Sequence, residues 1–370
     1  MKITYDYQIF SQQIYGGISR YFVEISKGIS YSEGKNSVNI ISPLYINEYL
    51  SESEKLLNIT GIKIPYIQKT SRIIKFINKF LSIGQIRKIK PDILHETYYS
   101  NKSIYRGKEK IVLTVYDMIH ELFPSYFNKF DNTSKLKKIA VDRADHIICI
   151  SENTREDLIK IFGVKREKTS VIYLGFDLNF KNDFNENISR EKIILYVGSR
   201  LGYKNFKNLA IAYAKNKEIN KNFKLIAFGG GQFTTSEKIF FKEIGLTKKN
   251  IFHVSGDDQK LAYYYKISSL FVYPSLYEGF GIPPLEAMNL KCPVACSESS
   301  SISEIVSDAG VYFDPYSVDS ISKTIESVLQ NDILKKNLIK KGKKRVKDFS
   351  WNKCSSETYN LYKKIIKWKH

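Results

Sequence analysis

The chain has 370 residues, 43% of them hydrophobic and 14% aromatic, enough to bury cores in two domains of about 150–200 residues each and too apolar for a disordered chain. Its net charge of +20 invites nucleic acid, yet 48 of the 58 basic residues are lysine, and arginine, the better base reader, is scarce. With no zinc-finger, helix-turn-helix or aromatic–basic signature, nucleic acid is not an expected partner, and no run of 18 apolar residues marks a membrane span.

The opening "MKITYDYQIF" alternates like a strand and lacks the apolar centre of a signal peptide. "IYGGISRYF" (14–22) then places Gly16 and Gly17 between this strand and a helix over "GISRYFVEISKGI", with Ile18, Tyr21, Phe22, Ile25 and Ile29 on one face. The glycine pair reads either as a cradle of backbone amides for phosphate or as a tight turn. It lacks the full dinucleotide fingerprint, so no nicotinamide or flavin cofactor is inferred. Further strands are expected at "SVNIISPL", "DILHET", "IVLTVY", "DHIICIS" and "TSVIYLG". Strand ends at 92–100 and 114–124 carry His95, Glu96, Tyr116, Asp117, His120 and Glu121, without the spacing of a metal site.

Between them, "QKTSRIIKFINKFLSIGQIRKIK" (68–90) carries Lys69, Arg72, Lys75, Lys79, Arg87, Lys88 and Lys90 and no acidic residue. As a helix it aligns Ile73, Phe76, Ile77 and Phe80 in one stripe. Two readings stand: a helix lying on an anionic membrane surface, or a domain helix whose apolar stripe packs on the sheet.

The polar stretch "FDLNFKNDFNENISREK" (176–192) is the best linker. Strands resume with "IILYVGS", "FKLIAFGGG", "NIFHVSG", "SSLFVYPS", "CPVACSE" and "GVYFDP", each followed by a helical stretch, which predicts parallel sheets of βαβ units. After the first of these, "YVGSRLGYKN" sets Arg200 and Lys204 in a loop where two cations either suit a diphosphate or stand solvated in a lysine-rich protein. "SLYEGFGIPPLEAM" (275–288) holds Glu278 and Glu286 on either side of Gly279, Phe280 and Gly281, in a strand-to-helix loop at the carboxyl edge of a sheet. Glu286 is expected in the first turn of the following helix, either with both carboxylates facing one pocket or with Glu286 complementing the helix dipole and Glu278 solvated. Cysteines 149, 292, 296 and 354 show no metal or redox spacing and read as buried thiols of a protein from a reducing cytoplasm.

Taken together and in order, "SLYEGFGIPPLEAM", "YVGSRLGYKN", "IICISENTREDL", "VIYLGFD", "CPVACSESSSISEIVSDAGVYFDP" and "FSWNKCSSETYNLY" resemble the retaining nucleotide-sugar glycosyltransferases of sequence family 4. "YDYQIFSQQIYGGISRYF" and "TVYDMIHELFP" are similar to its mannosyltransferase-like bacterial members, and the resemblance is weakest from about 45 to 90. It implies an α/β fold of the GT-B type, two Rossmann-like doubly wound domains facing a cleft. The first would span 1–178 plus a returning C-terminal helix at about 352–370, and the second, binding the donor, 190–350. It implies that Glu278 holds donor-sugar hydroxyls, with the amides near Gly279, Phe280 and Gly281. Glu286 would accept the ribose hydroxyls, and Arg200, Lys204 and the Gly16–Gly17 amides would neutralise the leaving diphosphate. Tyr116 stands where the family often has a histidine before Asp117 in the sugar pocket. The protein cations leave no role for a divalent metal, so no cofactor is expected beyond the nucleotide-sugar substrate. The acceptor implied is a glycan or lipid-linked glycan of bacterial surface polysaccharide synthesis, first guess mannose from GDP-mannose, made on the inner face of the cytoplasmic membrane. A nucleotide-sugar epimerase or phosphorylase of the same fold, or an inactive membrane-surface protein, is the alternative.

Overall fold

The computed structural model describes residues 1–34, 37–176 and 189–368; most of the expected linker, residues 177–188, lies outside them. The chain divides into two compact units, Met1–Gly175 with Phe349–His370, and Phe176–Asp348.

The first unit holds seven parallel strands, β1 (Ile3–Tyr5), β2 (Val38–Tyr45), β3 (Asn58–Lys63), β4 (Ile93–Glu96), β5 (Lys110–Val115), β6 (His146–Cys149) and β7 (Thr169–Val171). Their order is β3-β2-β1-β4-β5-β6-β7. The second unit repeats the scheme with β8 (Glu191–Val197), β9 (Lys224–Phe228), β10 (Ile251–Val254), β11 (Ser268–Tyr273), β12 (Val294–Ser297) and β13 (Val311–Phe313), ordered β10-β9-β8-β11-β12-β13. Each is a Rossmann-like doubly wound sheet, because short buried strands joined by helical crossovers pair in parallel and need helices on both faces. The chain reverses its winding between β1 and β4, and between β8 and β11; loops that diverge at such points leave a crevice at the carboxyl edge.

The helix Gly17–Glu33 buries Tyr21, Phe22, Ile25 and Ile29, as its spacing requires. The helix Trp351–Lys367 packs on it, burying Cys354, Thr358 and Leu361 of its own and setting Ser355 against Gly28, and belongs to the first unit. All four cysteines are buried free thiols.

Two elements depart from the sequence expectation. The first strand stops at Tyr5 rather than running to Phe10, because buried Asp6 turns the chain by accepting from the Gln8 and Thr97 amides at 3.2 and 3.0 Å. The edge strand β3 was not expected. Its "NITGIK" has little apolar content, and Gly61 is required: a Cβ there would stand 1.7 Å from the Ser42 carbonyl oxygen.

The helix Ser71–Ile89 forms where the basic segment was expected, but turns a different face inward. Ile74, Asn78, Ser82 and Ile86 are buried, whereas Ile73, Phe76 and Phe80 are 62, 74 and 74% exposed. Asn78 is buried for a reason. Where the β2–β3 register slips between Ile41 and Leu44, its side chain accepts from the Leu44 amide at 2.7 Å and donates to the Leu44 carbonyl at 2.8 Å. The reading in which the apolar stripe packs on the sheet is therefore overturned.

His95 lies in the core of the first unit, its two ring nitrogens 2.6 Å from the Tyr362 hydroxyl and 2.9 Å from Thr114 Oγ1. Burial pushes its pKa down to about 3, against about 6.5 in an unfolded chain. As pH falls through that window the unfolded chain takes a proton that the fold refuses, so stability is lost on acidification. Between pH 7 and 5 the loss is about 2 kcal/mol. His146, lowered to about 4 by burial, acts in the same direction, whereas the buried Asp6 carboxyl, raised by desolvation, acts in the opposite one. The histidine is isolated by comparison: urea-unfolding stability of His95→Gln should fall less steeply from pH 7 to 5 than that of the wild type. Parallel slopes would deny the buried neutral imidazole.

Candidate active site

The carboxyl ends of β8 and β11 carry the residues singled out in the second unit, at its point of strand reversal. After β8 the chain makes a short 3₁₀ turn, Gly202–Lys204, followed by Asn205 in the left-handed region at φ 57°. The Asn205 side-chain amide donates to the Pro274 and Pro315 carbonyls at 3.1 and 2.7 Å, and the Leu276 amide donates to the Tyr203 carbonyl at 2.7 Å. These bonds clamp the loop after β11 against the loop after β8. Lys204 Nζ is thereby brought 2.7 and 3.0 Å from the two carboxylate oxygens of Glu278. Two of the three ammonium donors point at Glu278, which leaves one for a phosphate oxygen.

Glu278 is buried, and its loop is latched by two serines that sequence reading did not single out. Ser300 Oγ accepts from the Glu278 amide at 2.9 Å, and Ser301 Oγ donates to the Glu278 and Phe280 carbonyls at 2.8 and 2.9 Å. The run "SESSSISE" was their only signal: serines that follow a strand and open a helix. Gly281 is the cap of the helix Ile282–Asn289, with proline in its first turn. Glu286 consequently falls in the second turn, not the first as expected, too far along to serve the helix dipole. Its Oε2 accepts from the Tyr265 hydroxyl at 3.1 Å.

Arg200 and Lys204 read, from sequence alone, either as a pair of cations for a diphosphate or as solvated loop residues. Both are paired with carboxylates. The Arg200 side chain is 3% exposed. Its Nε donates to Glu237 Oε1 at 2.7 Å, Nη1 to the Gly229 carbonyl at 2.9 Å, and Nη2 to the Gln232 carbonyl at 3.1 Å. The guanidinium lies 4.9 Å over the Phe233 ring. Against the upward push of partial burial, hydrogen bonds from Arg200 and Thr234 hold the Glu237 carboxyl below its ordinary value. Arg200 thus stitches the glycine-rich loop after β9 to the loop after β8. Gly230 makes room for it: a Cβ there would stand 2.8 Å from the Gly198 carbonyl and 2.9 Å from Arg200 Nη1.

The remaining candidates lie in the first unit. Gly16 is extended and caps the helix Gly17–Glu33, its carbonyl accepting from the Arg20 amide at 3.0 Å. Gly17 is exposed, with open space around it. Tyr116 is buried, and its ring meets Tyr21 edge-on at 6.0 Å. Asp117 and Glu121 converge on the buried Lys137, whose Nζ donates to the Asp117 carbonyl and to Glu121 Oε2, both at 2.8 Å. His120 stacks on Phe127 at 3.9 Å, and Glu96 is paired with Arg143. No group of three or more His, Cys, Asp or Glu that could hold a metal ion occurs among the described residues.

The family described as Glycosyltransferase Family 4 matches residues 15–180, and that described as Glycosyl transferases group 1 matches residues 179–345. The O-antigen chain mannosyltransferase B of Escherichia coli is 30% identical over 270 residues, 69% of this chain and 70% of that protein. The chain belongs to glycosyltransferase family 4. A second relative of this glycosyltransferase is the N-acetylgalactosamine-N,N'-diacetylbacillosaminyl-diphospho-undecaprenol 4-alpha-N-acetylgalactosaminyltransferase of Campylobacter jejuni. It is 29% identical over 232 residues, 61% of each chain, so the match spans less than two thirds of that relative. Among solved structures, Anabaena HepE in complex with UDP and glucose superposes with a TM-score of 0.71 over 98% of this chain and 99% of that one, at 17% identity, a likeness of fold. The GT-B fold implied by the sequence motifs is the fold observed.

Proposed function

We propose that this glycosyltransferase moves a hexose, mannose from GDP-mannose as the first candidate, to a glycan or lipid-linked glycan acceptor in bacterial surface polysaccharide synthesis. It does so with retention of configuration and without a divalent metal. The observation that carries the reading is the Lys204–Glu278 pair, held at 2.7 Å by clamped loops where the β8–β11 winding reverses. A mannosyltransferase among the relatives supports the sugar.

In this reading Lys204 offers its remaining N–H to the donor diphosphate, where negative charge grows as the C1–O bond breaks. Glu278 accepts from donor-sugar hydroxyls, with the Gly279–Gly281 backbone beside it, and Glu286 accepts from the ribose hydroxyls, its carboxylate oriented by Tyr265. Arg200 adds positive charge and fixes the loops. The acceptor hydroxyl attacks C1 from the face the diphosphate leaves, and its proton passes to the departing phosphate oxygen. Gly16, Gly17, Tyr116 and Asp117 remain candidates on the first unit for the diphosphate and the sugar.

Native mass spectrometry against a panel of nucleotide sugars tests the donor: one GDP- or UDP-sugar should be retained, and a protein that retains none is not this transferase. Transfer from that donor should persist after exhaustive chelation. If chelation abolishes it and manganese restores it, the protein cations are not sufficient and the metal-free reading fails.

A further inference from the structure

The helices Gly17–Glu33 and Trp351–Lys367 lie side by side in the first unit. Where they meet Leu56, from the turn before β3, a cavity of about 490 Å³ opens. The chemistry proposed above does not use it. Two of its lining residues, Glu24 and Tyr31, stand about 10 and 20 Å along the first helix from Gly17, where that helix starts. The wall combines flat aromatic faces with unspent hydrogen-bonding groups. Tyr31 is 96% exposed and has no ring contact or hydrogen bond among the described residues, and Trp351 supplies a second aromatic wall. The exposed Asn352 carboxamide has no partner among the described residues, and the same holds for the buried Ser30 Oγ and Trp351 Nε1. Buried polar atoms are seldom left so, and a ligand that brings hydroxyl groups relieves them.

Charge decides the class of ligand. The chain carries +20 overall, yet the one cation lining this cavity, Lys27, is held by Glu24 at 2.9 Å. The cavity is charge-balanced, so it does not gather phosphates as a concavity of bare lysines would. The second Glu24 oxygen accepts hydrogen bonds and cannot donate them, which suits a ligand rich in hydroxyl donors. A pyranose ring answers to all of this: it is neutral, its C–H face lies flat on an aromatic ring, and hydroxyls surround its edge. Tyr and Trp are the side chains that offer an apolar face beside a polar tip. In a glycosyltransferase such rings are also what is made and extended.

We propose that this cavity is a second carbohydrate site, which seats a neutral sugar of a glycan between Tyr31 and Trp351 and so holds the chain at a point removed from its reacting end. That the glycan is the acceptor or product of transfer rests on the transferase reading; the sugar site itself does not.

Trp351 is one of two tryptophans in the chain, so in a full-length Trp368→Phe background its fluorescence reports on the cavity. The test titrates that protein with neutral disaccharides, namely mannobiose, maltose, lactose and N,N'-diacetylchitobiose, and with guanosine and uridine for comparison. At least one disaccharide should shift the emission saturably. Adding Tyr31→Ser with Asn352→Ala should weaken that binding about tenfold, as loss of an aromatic face and a polar contact requires. Both residues are exposed, so this variant should melt like its parent and retain nucleotide sugar as its parent does. No response to any disaccharide, a disaccharide response unchanged in the variant, or a Tyr31-dependent response to a nucleoside instead would overturn the proposal. A parent that answers to a disaccharide yet retains no nucleotide sugar would uphold the cavity and refute the transferase reading; the reverse would refute the cavity alone.

Discussion

Glu278→Gln should lower turnover by about 10²–10³-fold while leaving nucleotide affinity nearly unchanged. The substitution keeps the size of the side chain and the Ser300 and Ser301 latch on its backbone, so the loop should hold. What it removes is the charge that pairs with the Lys204 ammonium and that, in the proposed reading, accepts from the reacting sugar. Those contacts strengthen as the sugar moves toward the transition state, and only such differences change turnover. Glu286 offers the contrast. Contacts to ribose hydroxyls are alike in the ground and transition states, so Glu286→Ala should chiefly weaken nucleotide affinity, by about 1.5–3 kcal/mol for a charge-assisted contact. Steady-state kinetics with nucleotide-binding calorimetry separates the two. A Glu278 variant impaired only in nucleotide binding would reverse the roles.

Arg200→Met should cost stability as well as activity. Its guanidinium is 3% exposed and holds Glu237 together with two loop carbonyls. Removing one member of a buried pair costs about 3–5 kcal/mol, and the partial exposure of Glu237 reduces that to about 3 kcal/mol. In a unit of this size the melting temperature should fall by roughly 6–12 °C. Pairing the change with Glu237→Leu should recover much of the loss, because no charge is then left buried alone. Were Arg200 chiefly a free diphosphate ligand, Arg200→Met would leave the melting temperature unchanged and weaken only donor binding.

The legible part of this protein was its local pattern. Alternating strand and helix signals give both sheets, and the glycine- and proline-marked loop of 275–288 gives the strand-to-helix turn that carries Glu278. Pairings across long stretches of chain were not legible. Glu237 lies on the helix after β9, 37 residues from Arg200, and nothing near either residue announces the bond. Asn78 is buried because of a register slip in a different element, a requirement invisible in its own helix. The apolar stripe of 71–89 could be placed on a helix by periodicity alone, but whether it faced the sheet or the outside depended on that anchor. Tyr116 and Asp117 were legible as neighbours of a strand end. Their surroundings, Tyr21 edge-on to the Tyr116 ring and the buried Lys137 beside Asp117, needed the fold.

The most direct measurement is release of nucleoside diphosphate from the retained donor, followed side by side for the wild type and Lys204→Ala. Lys204 should stabilise the leaving group, and its loss also leaves the buried Glu278 carboxylate without its ion pair. The variant should therefore melt below the wild type but still fold, bind the donor with a loss of about 1.5–3 kcal/mol, and release nucleotide at a small fraction of the wild-type rate. Release at the wild-type rate from a folded Lys204→Ala protein would contradict the assignment of the Lys204–Glu278 pair as the centre of this site.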